Sequence, residues 1–286
     1  MLKQRLITAA VLIPIVICLI YVVPTVVVGL VFSAMIILGA LEWAKMVPCE
    51  TSQSKTLFIS SIVALLIFGY FVASSAAIVF FLCAIATLWW VFVLLWLFQV
   101  KDTGHIANQD SPSGVIKVAD LIVSDSKNKA IVGALTLLPC FVAIVYLHAA
   151  PDFGSHYVFF CLSLMWAADS GAYFAGKKWG AKKLAPGVSP GKTIEGVTGG
   201  VVVAAIWTLL WMFFADLGEG YSIAFFLLSL LVTLISVAGD LFESLFKRIA
   251  DIKDSGHLLP GHGGVLDRID SLTAGAPIFV LGLLLL

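Results

Sequence analysis

Ten charged side chains are concentrated in one stretch of the sequence, from Gly239 to Asp270. It reads GDLFESLFKRIADIKDSGHLLPGHGGVLDRID, whereas charged residues make up only 12% of the whole chain. Carboxylate oxygens are the ligands that Mg²⁺ prefers, and Lys and Arg neutralise phosphate charge. Glycines such as Gly263 and Gly264 let the backbone approach an anion closely. The combination predicts a site for metal-bound phosphates rather than a solvated surface loop.

The segment SLFKRIADIKDSGHLLPGHGGVLDRID resembles the signature of the phosphatidate cytidylyltransferases, also called CDP-diacylglycerol synthases. That signature runs Ser, two residues, Lys-Arg, four residues, Lys-Asp, a small residue, and then His-Gly-Gly, Asp-Arg and a final Asp. Every fixed position is present here: Ser244, Lys247, Arg248, Lys253, Asp254, Ser255, His262, Gly263, Gly264, Asp267, Arg268 and Asp270. The segments WAADSGAYFAGKKWG and SPGKTIEG also resemble the family. The resemblance is therefore strong over the C-terminal half.

The resemblance implies that CTP and phosphatidate react to give CDP-diacylglycerol and pyrophosphate. The phosphate monoester of phosphatidate is already an anionic nucleophile, so the protein must supply alignment and charge neutralisation. Two metal ions could bridge the attacking and leaving oxygens. We expect Mg²⁺ in this role, with a monovalent cation as a further candidate. The predicted metal ligands are Asp240 and Asp267, assisted by Asp254, with Asp270 next in line.

The other signature residues are assigned to catalysis or to substrate binding. The predicted catalytic set is Asp240, Asp254, Asp267, Lys247, Arg248 and Arg268. Its three cations are expected to neutralise the phosphatidate headgroup or the pyrophosphate leaving group. The predicted substrate-binding residues of the signature are Ser244, Lys253, His262, Gly263 and Gly264. The HxxxxH spacing of His257 and His262 is not an established zinc pattern, so no zinc site is predicted.

Asp169 forms a second candidate site upstream of the signature. It lies at the end of an apolar run, where an unpaired carboxylate is costly and therefore marks a functional position. Ala172 and Tyr173 follow at helical offsets of three and four, so they should share one helix face with Asp169. We expect Asp169 to bind substrate.

The segment SPGKT contains a third candidate site. Ser189, Lys192 and Thr193 precede a helix that should begin near Ile194, and the N–H groups at a helix N-terminus bind phosphate well. These three residues are predicted to bind substrate. A Walker A loop is excluded, because Pro186 stands where that motif requires a glycine and we expect no strand before it.

The composition excludes a soluble globular protein. Hydrophobic residues make up 61% of the 286 residues, and the mean hydropathy is +1.08. The apolar runs are approximately 6–23, 25–41, 57–73, 76–98, 131–149, 157–175, 196–214, 222–241 and 271–286, each near the ~20 residues that span a bilayer as a helix. We predict an all-α polytopic membrane protein with about nine transmembrane helices, with eight as the alternative.

The distribution of basic residues predicts the orientation. With nine spans, all 17 Lys and Arg residues fall on one side. The opposite loops contain Asp152, Asp216 and Glu219 and no cation. Basic residues near membrane ends stay in the cytoplasm. We therefore expect the N-terminus and the active site on the cytoplasmic face of a bacterial inner membrane, with the first apolar run retained rather than cleaved as a signal peptide.

The chain is predicted to form a single membrane-embedded domain over 1–286. Residues 1–130 would supply N-terminal helices and a cytoplasmic loop, and 131–286 the catalytic half, with the signature at 244–270. The polar interruption 99–130 could contain an interfacial helix or a strand. The five cysteines of the chain lack CxxC spacing and are expected to pack in the apolar interior.

Two other functional classes are weighed against the cytidylyltransferase. A transporter or channel would fit the polytopic architecture, but transporters place charges near the midplane and show paired broken helices. A CDP-alcohol phosphotransferase would require a DxxDGxxAR motif, whereas Asp267 and Asp270 are followed by Ser271 and Leu272. The expected partners are CTP, phosphatidate and the lipid bilayer, with no nucleic acid. The resemblance further implies a homodimer.

Overall fold

The computed structural model describes residues 13–46, 51–100, 126–151, 154–215, 222–256, 258 and 263–286. The helices are α1 (Ile13–Val22), α2 (Thr25–Met46), α3 (Ser52–Val72), α4 (Ala76–Val100), α5 (Ser126–Ala149), α6 (Gly154–Trp179), α7 (Ile194–Ala215), α8 (Ser222–Ile249) and α9 (Leu266–Leu285). Between α6 and α7, strands β1 (Lys183–Ala185) and β2 (Ser189–Thr193) pair as an antiparallel hairpin.

The fold is an all-α polytopic membrane protein, as predicted. Eight helices, α2 to α9, are long and apolar enough to cross a membrane. Large apolar side chains cover the outside of the bundle; Phe213 and Phe214 are 82% and 81% exposed. Such exposure is stable where lipid replaces water as the solvent. The count of nine spans stays a prediction, because the first predicted run is described only as the shorter α1. Most of the interruption 99–130 lies outside the described residues.

Helix α9 lies at the centre of the bundle and contacts α2, α4, α5, α6 and α8. Pro277 interrupts it and has no N–H for the carbonyl of Thr273, one turn earlier. The indole N–H of Trp90 on α4 donates to that carbonyl oxygen at 3.0 Å. The N-terminal helices therefore satisfy a backbone group that the C-terminal half leaves open.

Helices α6 and α7 pack closely along their length because small residues line the contact. A Cβ atom added at Gly199 would overlap Ala175, and one added at Gly171 would lie 2.7 Å from the carbonyl oxygen of Gly199. Larger side chains would push the two helices apart. The packing fixes the ends of α6 and α7, and so the base of the hairpin between them.

Two helix boundaries differ from the sequence prediction. Helix α8 does not end at Asp240 but continues to Ile249, because Leu241, Phe242 and Leu245 repeat at helical spacing on a buried face. Helix α9 begins at Leu266 rather than near Ser271. Ser244, Lys247 and Arg248 consequently lie on α8, whereas Asp267 and Asp270 lie on the first turns of α9.

The hairpin corrects a further expectation. A short strand, β1, does precede SPGKT, which itself forms β2 rather than a loop. The pairing is antiparallel, and Val188 N donates to Ala185 O at 3.2 Å across the turn. A Walker A loop remains excluded by Pro186, but the argument from a missing strand was wrong. As predicted, a helix begins at Ile194.

An aromatic layer underlies the polar ends of α2 and α8. Trp43 on α2 lies 4.8 Å from Phe246 between ring centroids and stacks on Phe242 at 6.0 Å. Trp89 and Trp90 of α4 approach Phe242 edge-on. These large rings are costly to displace. They hold the C-terminal ends of α2, α4 and α8 together beneath the polar residues.

Candidate functional site

A cavity of about 440 Å³ opens between α6, α7, α8 and the hairpin. Six of its lining residues come from α6: Ala168, Asp169, Ala172, Tyr173, Gly176 and Lys177. The predicted helix face is therefore confirmed. Other walls come from small and apolar residues of α7 and α8, among them Val201 and Val237. The cavity is thus lined by both charged and apolar side chains.

An ion pair between Lys192 and Asp240 stands at the charged side of this cavity. The Nζ atom of Lys192 on β2 lies 2.5 Å from Oδ2 of Asp240 on α8. Asp169 and Asp270 both interact electrostatically with Asp240 and with Lys192. Three carboxylates from α6, α8 and α9 therefore share the one lysine. Added positive charge would reduce the mutual repulsion of these carboxylates.

Asp267 has a different environment from Asp240. Its Oδ1 accepts a hydrogen bond from Lys247 Nζ at 2.6 Å. Its Oδ2 accepts three more, from the backbone N–H and hydroxyl of Ser255 at 3.0 Å and from Gly264 N at 2.8 Å. The residues between α8 and α9, 250–265, are called the signature loop below. Asp267 therefore binds both ends of the signature loop and holds them against α8.

Lys247 is buried between two carboxylates. Its Nζ lies 3.1 Å from Oε1 of Glu243, one turn earlier on α8, and both side chains are less than a tenth exposed. Together with Asp267 they form a buried ionic triad at the α8–α9 contact. Buried ions of this kind are stable only when each is paired, so the triad fixes the register of the two helices.

The remaining signature residues surround this triad. Ser244 donates to Asp240 Oδ1 at 3.3 Å. Arg248 donates to the carbonyl of Val188 at 3.3 Å and so ties α8 to the hairpin. The side chains that stay exposed are Lys253, Asp254 and Arg268. Arg268 is close enough to Asp169 for an electrostatic interaction.

The signature loop turns sharply at Gly263. Its φ of +81° is a conformation that side chains rarely adopt, and an added Cβ would lie 2.6 Å from Asp267 Oδ2. Glycine is thus required for the loop to reach Asp267. His262 lies outside the described residues.

The start of α7 holds the hairpin in place. Thr193 Oγ1 accepts a hydrogen bond from Gly196 N at 3.1 Å, which caps the helix. Glu195 accepts hydrogen bonds from the backbone N–H groups of Ala181 and Lys182. These contacts bring Lys192 over Asp240. Ser189 is the first residue of β2, and its predicted role in substrate binding stays a prediction.

Sequence reasoning missed Glu42, an acidic residue that lies on α2 and is only 6% exposed. Its carboxylate accepts hydrogen bonds from Ser255 Oγ, Val265 N and Leu266 N. The available signal was an acidic residue inside the apolar sequence LGALEWAKM, the same reason that singled out Asp169. Glu243, also buried, was missed as well. Its role depends on how α8 packs against α9, and the sequence does not give that packing.

The structure thus gathers most of the predicted site residues at one end of the bundle. Asp169, Asp240, Asp270 and Lys192 form one cluster, and Asp267 and Lys247 form an adjacent one. Within the described ranges, no three His, Cys, Asp or Glu side chains converge as a ready metal site. Whether Asp240, Asp267, Asp254 and Asp270 bind metal stays a prediction.

The sequence matches the model of the cytidylyltransferase family over residues 3–286. It is 38% identical over 280 residues to a phosphatidate cytidylyltransferase of Pseudomonas aeruginosa, covering 98% of this chain and 96% of that protein. It is 34% identical over 307 residues to the protein of that name from Haemophilus influenzae, covering 98% and 97%. A Bacillus subtilis phosphatidate cytidylyltransferase is 34% identical over 193 residues, or 63% of this chain and 71% of that protein.

Proposed function

This chain belongs to the cytidylyltransferase family, and on that premise we propose that it transfers the cytidylyl group of CTP to phosphatidate. A phosphate oxygen of the lipid attacks the α-phosphorus of CTP. The bond from that phosphorus to the oxygen bridging to the β-phosphorus breaks, and pyrophosphate leaves with the bonding electrons. CDP-diacylglycerol is the lipid product, which supplies phospholipid synthesis.

The observation that carries the proposal is the mixed character of the cavity. Asp169, Asp240 and Lys192 lie at its charged side, whereas Val201 and Val237 line its apolar wall. A lipid with an anionic headgroup matches both surfaces, since its glycerol and upper acyl chains can remain among apolar side chains. Tyr173 stands at this wall and is 54% exposed. Acyl chains could then enter sideways from the leaflet without crossing water.

We assign the cations to the phosphates. Lys192 is held by a flexible stem on the hairpin and can exchange Asp240 for a phosphate oxygen without breaking a helix. Arg268 is exposed on the first turn of α9, close enough to Asp169 for an electrostatic interaction. These two residues would neutralise charge on the CTP phosphates and on the leaving pyrophosphate. Lys247 and Arg248, which already have protein partners, would act mainly by holding α8, α9 and the hairpin together.

The donor chemistry of the cluster fits Mg²⁺. Asp169, Asp240 and Asp270 offer hard oxygen atoms, and Lys192 is the only cation that they share among the described contacts. We propose that these three carboxylates move together around the ion as ligands, since they do not already converge among the described residues, with Asp267 and Asp254 as further candidates. A bound Mg²⁺ would neutralise phosphate charge as the α-phosphorus is attacked. A second metal or a monovalent cation remains part of the proposal.

We also propose that the charged end of the bundle faces the cytoplasm of a bacterial inner membrane. The hairpin and the signature loop contain many of the basic residues, in keeping with the positive-inside rule. A Lys183→Cys variant, in a protein in which Cys18 and Cys49 have been replaced, would show on which side of the membrane the hairpin lies. An impermeant thiol reagent should label it in inverted vesicles and leave it unlabelled in intact spheroplasts.

The homodimer is proposed from the family resemblance, and native mass spectrometry in detergent would test it.

Pyrophosphate release by the purified protein tests the reaction. Release should require CTP and phosphatidate together and should stop when Mg²⁺ is chelated. A transporter would release no pyrophosphate, even when CTP and phosphatidate are both present. A phosphotransferase would instead convert CDP-diacylglycerol and an alcohol into CMP and phospholipid, so that pair of substrates serves as the second arm. Release without phosphatidate would contradict the proposed acceptor.

A further inference from the structure

We propose that Glu42 is a positioning residue that sets the start of α9 and, through it, the carboxylates of the active site. The proposal rests on the proposed cytidylyltransferase function and adds a residue from the N-terminal half, where the family resemblance was weakest. Glu42 is not one of the residues that line the cavity. It acts through hydrogen bonds to the signature loop.

The first turn of α9 lacks a cap of its own. Its N-cap residue is Val265, whose side chain makes no capping hydrogen bond. Helix N-termini carry N–H groups without helical partners, and these need an acceptor when buried. Glu42 supplies one from another helix: Oε1 accepts from Val265 N at 3.0 Å and Oε2 from Leu266 N at 2.8 Å. A carboxylate is also favoured here by the helix dipole.

The same carboxylate holds the preceding loop. Ser255 Oγ lies 2.8 Å from Glu42 Oε2 and 3.0 Å from Asp267 Oδ2. The single hydroxyl proton of Ser255 is therefore shared between these two acids. An added Cβ at Gly256 or at Gly264 would collide with the Glu42 carboxylate. The backbone on both sides of the loop is thus packed directly against Glu42.

The consequence concerns Asp267 and Asp270, one and four residues after Leu266. If α9 frayed by one turn, Asp267 would leave Lys247 and Asp270 would leave the cluster around Asp240. Displacement of a reacting group by about 1 Å can cost ~10²-fold in rate. Glu42 therefore controls catalytic geometry from a position outside the cavity.

Glu42→Gln is the primary test, because it keeps the shape but replaces one acceptor oxygen with an amide donor that faces an N–H group. We expect kcat to fall about 10²-fold, with the KM for CTP little changed. Hydrogen exchange should accelerate at the amides of Val265 and Leu266. Glu42→Asp keeps both oxygens and should recover part of the rate. Lys45→Gln, at an exposed position one turn later on α2, is the matched control and should behave as wild type.

Unchanged kcat in folded Glu42→Gln protein would overturn the proposal, as would a loss of activity with Val265 and Leu266 still protected. If this variant does not fold, Ser255→Ala decides, since it removes only the hydroxyl shared by Glu42 and Asp267. Lower kcat in folded Ser255→Ala protein supports the positioning role, and an unchanged kcat contradicts it. Hydrogen exchange tests the cap even if the wild-type protein proves to have another activity, so failure of the two proposals can be told apart.

Discussion

Lys192 and Asp240 form an ion pair that joins the base of the hairpin to α8, with 2.5 Å between Nζ and Oδ2. Both side chains are about a quarter exposed. The pair therefore sits in contact with the cavity rather than in the core. If Asp169, Asp240 and Asp270 bind a metal cation, as proposed above, Lys192 competes with that cation for Asp240. Binding of a cation and of CTP phosphates should release this lysine toward the nucleotide.

Lys192→Met should therefore change enzymatic activity and affinity for a divalent cation in opposite directions. Activity should fall by ~10²-fold or more, as when one preorganised phosphate contact is lost. Affinity for a divalent cation without CTP should rise, because the competing positive charge has been removed. Mn²⁺ binding followed by electron paramagnetic resonance measures the affinity. Lys183→Met, at an exposed position on the same hairpin, should change neither. Weaker Mn²⁺ binding in Lys192→Met would show that Lys192 does not compete with the cation.

Asp240→Asn should abolish turnover with little effect on folding. Asp240 lies at the cavity, and its partners Lys192 and Ser244 can both be solvated when the charge is removed. We expect kcat to fall ~10³-fold and the thermal midpoint to stay near that of the wild type. Asp251→Asn is the matched control: it removes the same charge from an exposed residue with φ of 53°, a conformation that Asn tolerates. Substantial activity in folded Asp240→Asn protein would remove this residue from the catalytic set.

Asp267→Asn should behave differently, although both aspartates belong to the predicted metal set. The amide group would face either Lys247 or the N–H groups of Ser255 and Gly264, so it cannot replace the carboxylate. Breaking a buried ion pair from one side costs about 3–5 kcal/mol. We expect a clear loss of thermal stability together with activity, measured by thermal denaturation in detergent. A variant as stable as Asp240→Asn would show that the triad with Lys247 is unimportant for the fold.

Val201→Phe tests the apolar wall of the cavity. The larger side chain should obstruct the lipid and raise the KM for phosphatidate, while the KM for CTP should change less. Val202→Phe places the same side chain at the next position of α7, which is 52% exposed and faces away from the bundle. It should leave both constants unchanged. A larger rise in the KM for CTP than for phosphatidate would argue that CTP lies against this wall instead.

Most residues that gather at the candidate site could be predicted from the sequence because charge is rare in this chain. Asp169, Asp240 and Lys247 stand out against apolar neighbours, and an ionisable side chain in such a setting needs a partner or a function. The apolar runs also predicted helices α2 to α9, whereas the ninth span stays a prediction. The start of α7 near Ile194 was predicted as well. These features depend on local sequence alone.

The positions of the helix ends at the site could not be predicted in the same way. Helix α9 begins at Leu266 because a carboxylate from Glu42, more than 200 residues away, accepts its first N–H groups. Likewise, SPGKT forms a strand because it pairs with the strand Lys183–Ala185. Both outcomes depend on contacts between distant segments. The division of roles between Asp240 and Asp267 follows from those contacts, not from their shared place in the signature.

The most direct measurement supplies purified protein with phosphatidate, Mg²⁺ and CTP labelled at its α-phosphorus, and follows the label into chloroform-soluble lipid. The account predicts labelled lipid in amounts equal to the pyrophosphate released, dependent on phosphatidate, and absent with CTP labelled at its γ-phosphorus. Label in the lipid from the γ-phosphorus, or no labelled lipid from folded protein that binds both substrates, would contradict it.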